Sequence, residues 1–292
     1  MTTAGIVLAG GRSSRMGTAK AALEWHGSTL LRRVTGLVGR VVDGPVVVVR
    51  APGQALPALG PEVELVEDPR EGLGPLQGLA AGLAATADRA ERAFACATDL
   101  PFLHPAFVRR VLGALDGDVE IALPVALGFP QPLAAAYRTA LAPEVARLVA
   151  DGRLRLGFLL RDHAVVRLDE AALLADPVLA ALDPGLASVV NVNDPAGYEA
   201  ARARPAPAVT VRRYGVLAVA GQRGPRTVRA ATLAGAAAAA GVGLDRHVVA
   251  ALNGGQITRD GELPLVAGDT VAFLAAEAGG LETMAAPDPA GG

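Results

Sequence analysis

The stretch GIVLAGGRSSRMGTAK, residues 5–20, ends on the only lysine in a chain with 27 basic residues. A Val/Ile/Leu run leads in, Gly10 and Gly11 follow, and the cations Arg12, Arg15 and Lys20 come after them. Paired glycines allow positive φ and a close approach of backbone to ligand. Successive N–H groups in such a turn form an anion-binding nest. Lysine adds a compact point charge on a flexible stem, which the wide arginine fork does not reproduce. The chemistry such a loop supports is the binding of phosphate. The spacing excludes a P-loop, whose lysine follows its last glycine directly, because two residues separate Gly17 from Lys20. The G-x-G-x-x-G dinucleotide fingerprint is absent too. Arg15 is either a phosphate contact or a solvated loop charge.

Asp99 closes the apolar run AFACATD. A carboxylate there should emerge at the carboxyl edge of a sheet, where open α/β sheets bind ligands. Mg²⁺ takes one or two carboxylates together with substrate phosphates and water; the plainer role is a cap before Pro101. Asp68 either opens the turn DPREG or meets a ligand. Asn191 and Asn193, two of only three asparagines, serve turn chemistry or a site. Cys96, the single cysteine, reads as a small buried hydrophobe and has no intrachain disulfide partner. His26, His104, His163 and His247 are scattered, lack zinc-ligand spacing with the cysteine, and receive no catalytic role. No Ser-His-Asp or Cys-His set is evident.

The elements that must position these groups follow from periodicity. Apolar runs at 5–9, 45–50, 63–67, 92–99 and 119–125 read as strands covered on both faces, as in a parallel sheet. Leu30–Arg40, Gln77–Ala87, Pro105–Leu115 and Pro143–Ala150 read as helices between them, giving a doubly wound α/β sheet. Asp194 and Pro195 start a further helix as N-cap and first helical residue. Residues 1–203 form this domain, and the Pro-rich 204–208 reads as a linker with little that packs. A small α+β domain over 209–280 follows, with strands at 209–214, 248–254 and 269–275 and a helix at Thr232–Ala240; 281–292 reads as a flexible tail. The composition is 51% hydrophobic and 3% aromatic, enough for a core. A net charge of −2 argues against general nucleic-acid or membrane-surface binding. No apolar run reaches the roughly 18 residues of a membrane span, and no basic region precedes the first apolar stretch, so the expected location is cytoplasmic.

The longer run LAGGRSSRMGTAKAALEWHGSTLLRRV closely resembles the nucleotide-binding signature of the molybdenum cofactor guanylyltransferases, within a wider family of nucleotidyltransferases with a Rossmann-like sheet. The resemblance spans about residues 4–202. It implies that Leu8, Ala9, Gly10, Gly11 and Lys20 hold the triphosphate of GTP. EDPREGLGPLQGL (67–79) resembles the family's base-recognition segment and implies Asp68 and Gly78 near the nucleotide. ATDLPFL (97–103) resembles its metal motif and implies Asp99 on Mg²⁺. QPLAAAYR (131–138) and NVNDP (191–195), with Asn191 and Asn193, resemble segments on the substrate side. One departure is Arg50, where relatives often carry Asn; it stays outside the expected site.

The implied reaction is GMP transfer from GTP to molybdopterin cofactor, with release of pyrophosphate. A cytidylyltransferase acting on the same cofactor is the nearest alternative, and a non-catalytic scaffold is the alternative from another class. VTVRRYGVLAVAG and LVAGDTVAFLAAEAGG resemble the sulfur-carrier subunit of molybdopterin synthase, a ubiquitin-like β-grasp protein whose terminal Gly-Gly is adenylated. Gly279 and Gly280 match that pair, although twelve residues follow. The implied partners are a carrier-activating enzyme and the large molybdopterin synthase subunit.

Overall fold

The computed structural model describes residues 1–10, 20–69, 72–218 and 224–275. The first sheet contains β1 (Thr3–Leu8), β2 (Val46–Arg50), β3 (Val63–Glu67), β4 (Arg92–Ala97), β5 (Ile121–Ala126), β6 (Ala134–Arg138) and β7 (Val165–Leu168), in spatial order β7-β5-β6-β4-β1-β2-β3. Around it lie α1 (Leu30–Gly39), α2 (Pro75–Thr86), α3 (Pro105–Leu112), α4 (Ala142–Ala150) and α5 (Pro195–Arg202).

The expectation of a doubly wound parallel sheet needs one correction. β6 runs antiparallel to both β4 and β5, so the sheet is mixed. The reversal begins at a tight turn in which Leu127 and Gly128 both have positive φ, 55° and 82°, as a two-residue hairpin turn requires. Phe129–Pro130 pairs back onto β5, and the chain then inserts β6 between its neighbours. Ala134, Ala135 and Ala136 are fully buried there, small enough to fit between two strands yet weak as a strand signal. β3 also differs from expectation: it is the sheet's edge, and two of its glutamates face water.

β1 shows why the central strands read as continuous apolar runs. Val7 packs on one face of the sheet with Phe94, Cys96 and Phe107, while Ile6 and Leu8 pack on the other with Leu79, Leu83 and Tyr137. Each such Val, Leu or Phe taken fully from water contributes roughly 1.5–3 kcal/mol. Asp194 caps α5 as expected, accepting from Gly197 N at 2.8 Å, with Pro195 at the first helical position. His104 caps α3, where Nδ1 accepts from Ala106 N at 3.1 Å.

The second sheet holds β8 (Ala208–Arg213), β9 (Arg226–Arg229), β10 (Val248–Leu252), β11 (Gln256–Thr258) and β12 (Thr270–Ala275), in order β9-β8-β12-β10-β11. β8 and β12 are parallel; the other pairings are antiparallel. α6 (Leu233–Ala240) supplies Leu233, Ala236 and Ala237 to the same core as Val211, Leu265 and Phe273. Neither β9 nor β11 was expected from periodicity. β9 exposes three of its four residues and β11 has only three, so neither carries a buried run.

A polar seam joins the two sheets. Arg40 on α1 grips both carboxylate oxygens of Asp269, at 2.9 and 2.5 Å. Arg32 meets Asp260 at 2.5 Å, and Arg33 reaches the carbonyls of Ala231 and Leu265. In the stretch 204–208, Arg204 lies over the Phe102 ring at 4.5 Å. Among the described residues, no helix is long and apolar enough to cross a membrane. Gly279, Gly280 and the tail 281–292 lie outside the described residues.

Candidate active site

A cleft of about 490 Å³ opens at the carboxyl ends of β1, β2 and β4. Leu8, Ala9, Gly10, Lys20, Asp68, Gly78 and Asp99 all line it, so seven residues singled out from the sequence meet in one place. Gly11 and Arg15 lie outside the described residues.

Local structure explains the placement. β1 ends at Leu8, and its register is carried on by Ala9 N and Gly10 N, which donate to Val49 O at 2.8 and 3.2 Å. Gly10 packs closely against the β2 exit, where a Cβ would sit 3.3 Å from the Ala51 nitrogen, a tight contact. Across the cleft α2 starts at Gly74, with φ of +83°, and Pro75. Its Gly78 faces Leu8, and a Cβ would lie 3.3 Å from that side chain, so a larger residue would press the helix away from the strand.

Asp99 forms the floor. Its carboxylate is 12% exposed and accepts from Lys20 Nζ at 2.7 Å and from Asn191 Nδ2 at 3.1 Å. Lys20 Nζ also donates to Asn193 Oδ1 at 2.9 Å. Asp99 O accepts from Val192 N at 3.0 Å, so the segment 191–193 is sewn to the Asp99 turn through main chain and side chain together. Both asparagines thus belong to the site through Asp99 and Lys20 rather than as wall residues. Thr98 Oγ1 donates to Leu8 O at 2.9 Å and fixes β4's end to β1's end.

Two contributors were missed or set aside. Gln54 is the one polar side chain in residues 51–60, which was the available signal. Its amide donates to Ala9 O and accepts from Ala51 N, both at 3.0 Å, clamping the phosphate-loop entrance to the β2 exit. Arg50 lines the cleft, with Nη2 on Glu67 at 2.8 Å and Nη1 on Gln54 O at 3.1 Å.

Cys96 lies in β4 beneath this floor and is fully buried. Burial, with Asp99's charge second, pushes its thiol well above the ordinary value, so it offers no thiolate nucleophile. Among the described residues no cluster of three or more His, Cys, Asp or Glu could cage a metal. The geometry instead offers the carboxylates of Asp99 and Asp68, the cations Lys20 and Arg50 and a glycine-lined backbone, a set suited to a phosphorylated ligand that brings its own oxygens.

Residues 5–166 match the family described as the MobA-like NTP transferase domain. The chain belongs to that family. A protein named "Probable molybdenum cofactor guanylyltransferase" from Mycobacterium bovis is 38% identical over 201 residues, covering 68% of this chain and 92% of the relative. One of the same name from Mycobacterium marinum is 42% identical over 163 residues, 54% of this chain and 79% of the relative. Among solved structures, molybdopterin-guanine dinucleotide biosynthesis protein A from Archaeoglobus fulgidus aligns with a TM-score of 0.55 and 23% identity, over 68% of this chain and 96% of that one. That likeness shows the fold, an α/β nucleotidyltransferase with a mixed central sheet. The MobA-like domain and its relatives make this chain an enzyme of the nucleotidyltransferase kind.

Proposed function

We propose that the cleft transfers GMP from GTP to molybdopterin cofactor and releases pyrophosphate. The observation that carries this reading is Lys20 held between Asp99 and Asn193 at the mouth of the glycine turn. A cation shared by two neutral or anionic oxygens in a partly open cleft can pass to an incoming phosphate. The relatives' printed name supplies guanine and the molybdenum cofactor.

In this reading a phosphate oxygen of molybdopterin attacks the α-phosphorus of GTP. The new P–O bond forms as the α–β bridging bond breaks, and the electron pair leaves with pyrophosphate. Such transfer rests on positioning and charge neutralisation rather than covalent help. Leu8, Ala9 and Gly10 line the triphosphate end of the cleft and lead the chain to Gly11. Lys20, aided by Arg15, stabilises charge moving onto pyrophosphate. Mg²⁺, when bound, neutralises phosphate charge. Asp99 fits it as a hard-oxygen ligand, because an ion that keeps water and phosphate oxygens needs only one or two carboxylates. Asp68 and Gly78 face the base and ribose side of the cleft. Asn191 and Asn193 orient Asp99 and Lys20.

LAGG and GPLQGL favour guanine over the cytidylyl alternative, whose members tend to read LAAG. A site that hydrogen-bonds a base edge can reject one lacking it by about 10⁴. Parallel kinetics with GTP and CTP test this: GTP should win, and a CTP preference would move the assignment to the cytidylyl class.

The second unit, 209–280 after the 204–208 linker, reads as a β-grasp domain related to sulfur carriers. The sheet order β9-β8-β12-β10-β11, with its parallel central pair and one helix, supports that ancestry. A chain ending at Gly280 should then accept sulfur from a carrier-activating enzyme with ATP and a sulfur donor, and the 292-residue chain should not. Intact-mass spectrometry decides, and a sulfur-for-oxygen shift on the uncut chain at Gly292 would refute it.

A further inference from the structure

Arg33 lies on α1 and is 5% exposed. Its Nε donates to Pro101 O at 2.5 Å, Nη1 donates to Ala231 O at 3.2 Å and Leu265 O at 3.3 Å, and Nη2 shares Leu265 O at 3.3 Å. Among the described residues its hydrogen bonds go to main-chain carbonyls alone. Pro101 is two residues past Asp99, whereas Ala231 and Leu265 belong to the second sheet's domain. Burial lowers the guanidinium to about 10, so it stays cationic at neutral pH. A buried cation is tolerated only when its donors are satisfied. Arg33 therefore needs the Asp99 turn and the second domain in place at the same time.

The Asp99 turn meets the second domain once more. His104 Nε2 lies 3.1 Å from Ala267 O and, because a carbonyl only accepts, carries the proton. On its other side the same turn is held to residues 188–192. His104 N donates to Ser188 Oγ at 3.0 Å, and Val192 N donates to Asp99 O at 3.0 Å. Within the turn Leu103 N donates to Leu100 O at 3.1 Å. Residues 99–104 are thus clamped between the segment that carries the asparagines and the second sheet's domain, which lies beyond the family match at residues 5–166.

We propose that the docked C-terminal domain holds the Asp99 turn in its working position, and that Arg33 is the positioning residue through which it does so. This rests on the reading of Asp99 given above. The domain is then part of the transferase's working structure and not a passenger on it. Anything that pulls the domain from the seam lowers nucleotidyl transfer without blocking the nucleotide cleft.

The test uses the full-length protein and reads hydrogen exchange at the Leu103, His104 and Val192 amides by NMR. Arg33→Met keeps the stem and removes the donors. These amides should exchange about tenfold faster while Val7 in β1 keeps its rate, since the change is local. Turnover of GTP with molybdopterin and Mg²⁺ should fall about tenfold, with KM for GTP within about twofold. Unchanged exchange at the three amides in folded Arg33→Met overturns the proposal, as does faster exchange with unaltered turnover. Should Arg33→Met fail to fold, Arg40→Gln decides, read at the Leu103 and Val192 amides, because it loosens the seam and its hydrogen bonds go to Pro264 and Asp269 and not to residues 99–104. A rise of about threefold at the same amides supports the link, and no rise overturns it. Asp99→Asn, run alongside, keeps the two readings apart. An unchanged magnesium titration there overturns the site reading, while exchange and turnover in Arg33→Met together decide the link.

Discussion

Two ion pairs define the molecule, and they differ in kind. In the cleft Lys20 meets Asp99 through one nitrogen and one oxygen, with side chains 23% and 12% exposed. In the seam Arg40 takes both oxygens of Asp269, with side chains 10% and 3% exposed. Asp269 further accepts from Asn253 Nδ2 at 2.9 Å and from Val266 N at 2.8 Å, so its lone pairs are filled. The cleft pair has a point-charge donor and solvent beside it, and a phosphate can compete for Lys20. The seam pair is a planar fork gripping a carboxylate whose lone pairs are all engaged. The first arrangement suits exchange during a reaction, the second a fixed joint.

Changing each partner should separate these roles. The largest effect is expected at the cleft. Asp99→Asn keeps the shape and removes the charge, and turnover should fall more than about 10³-fold. Unfolding stability should move by less than about 1 kcal/mol, because the pair is partly exposed. Steady-state assays and urea denaturation check both halves of that statement. Lys20→Arg comes next. It preserves charge but brings a fork into a turn suited to a compact ammonium, and should cost about 10²–10³ in kcat. Near-native turnover in that variant would make the single lysine an accident of composition.

At the seam the ranking inverts. Asp269→Ala strands Arg40 in a buried setting, and breaking such a pair typically costs about 3–5 kcal/mol. Denaturant unfolding should report that loss, whereas KM for GTP should hold. The smallest effect concerns His104. Burial drives its pKa below the ordinary 6.5, opposed by the Ala267 carbonyl. The fold therefore favours neutral imidazole. Its contribution is complete above about pH 6.5 and is lost as pH falls through the lowered folded value. His104→Asn, which can still cap Ala106, should flatten the acid side of a stability-against-pH curve.

The cleft was far more legible in the sequence than the seam, for physical reasons. Strands buried on both faces announce themselves, and a sheet's carboxyl edge gathers the residues that follow them, so Gly10 and Asp99 could be placed together, while the family resemblance added Asp68. Their link to Asn191 and Asn193 spans more than 90 residues and depends on one register, Val192 on Asp99, which no periodicity encodes. β6 escaped because alanine is a weak strand former whose small size is what lets it fit between two strands. In the seam, Arg33, Arg40 and Asp269 each read alone as ordinary surface charges. Only the docking of a second sheet makes them internal.

The central claim is that this cleft joins GMP to molybdopterin. The direct measurement supplies α-³²P-labelled GTP, Mg²⁺ and molybdopterin cofactor to the full-length protein and follows the label by chromatography. The account predicts label in a pterin product, pyrophosphate released in equal amount, and neither with Asp99→Asn. Label that stays in GTP, or that appears only as free GMP, would contradict it.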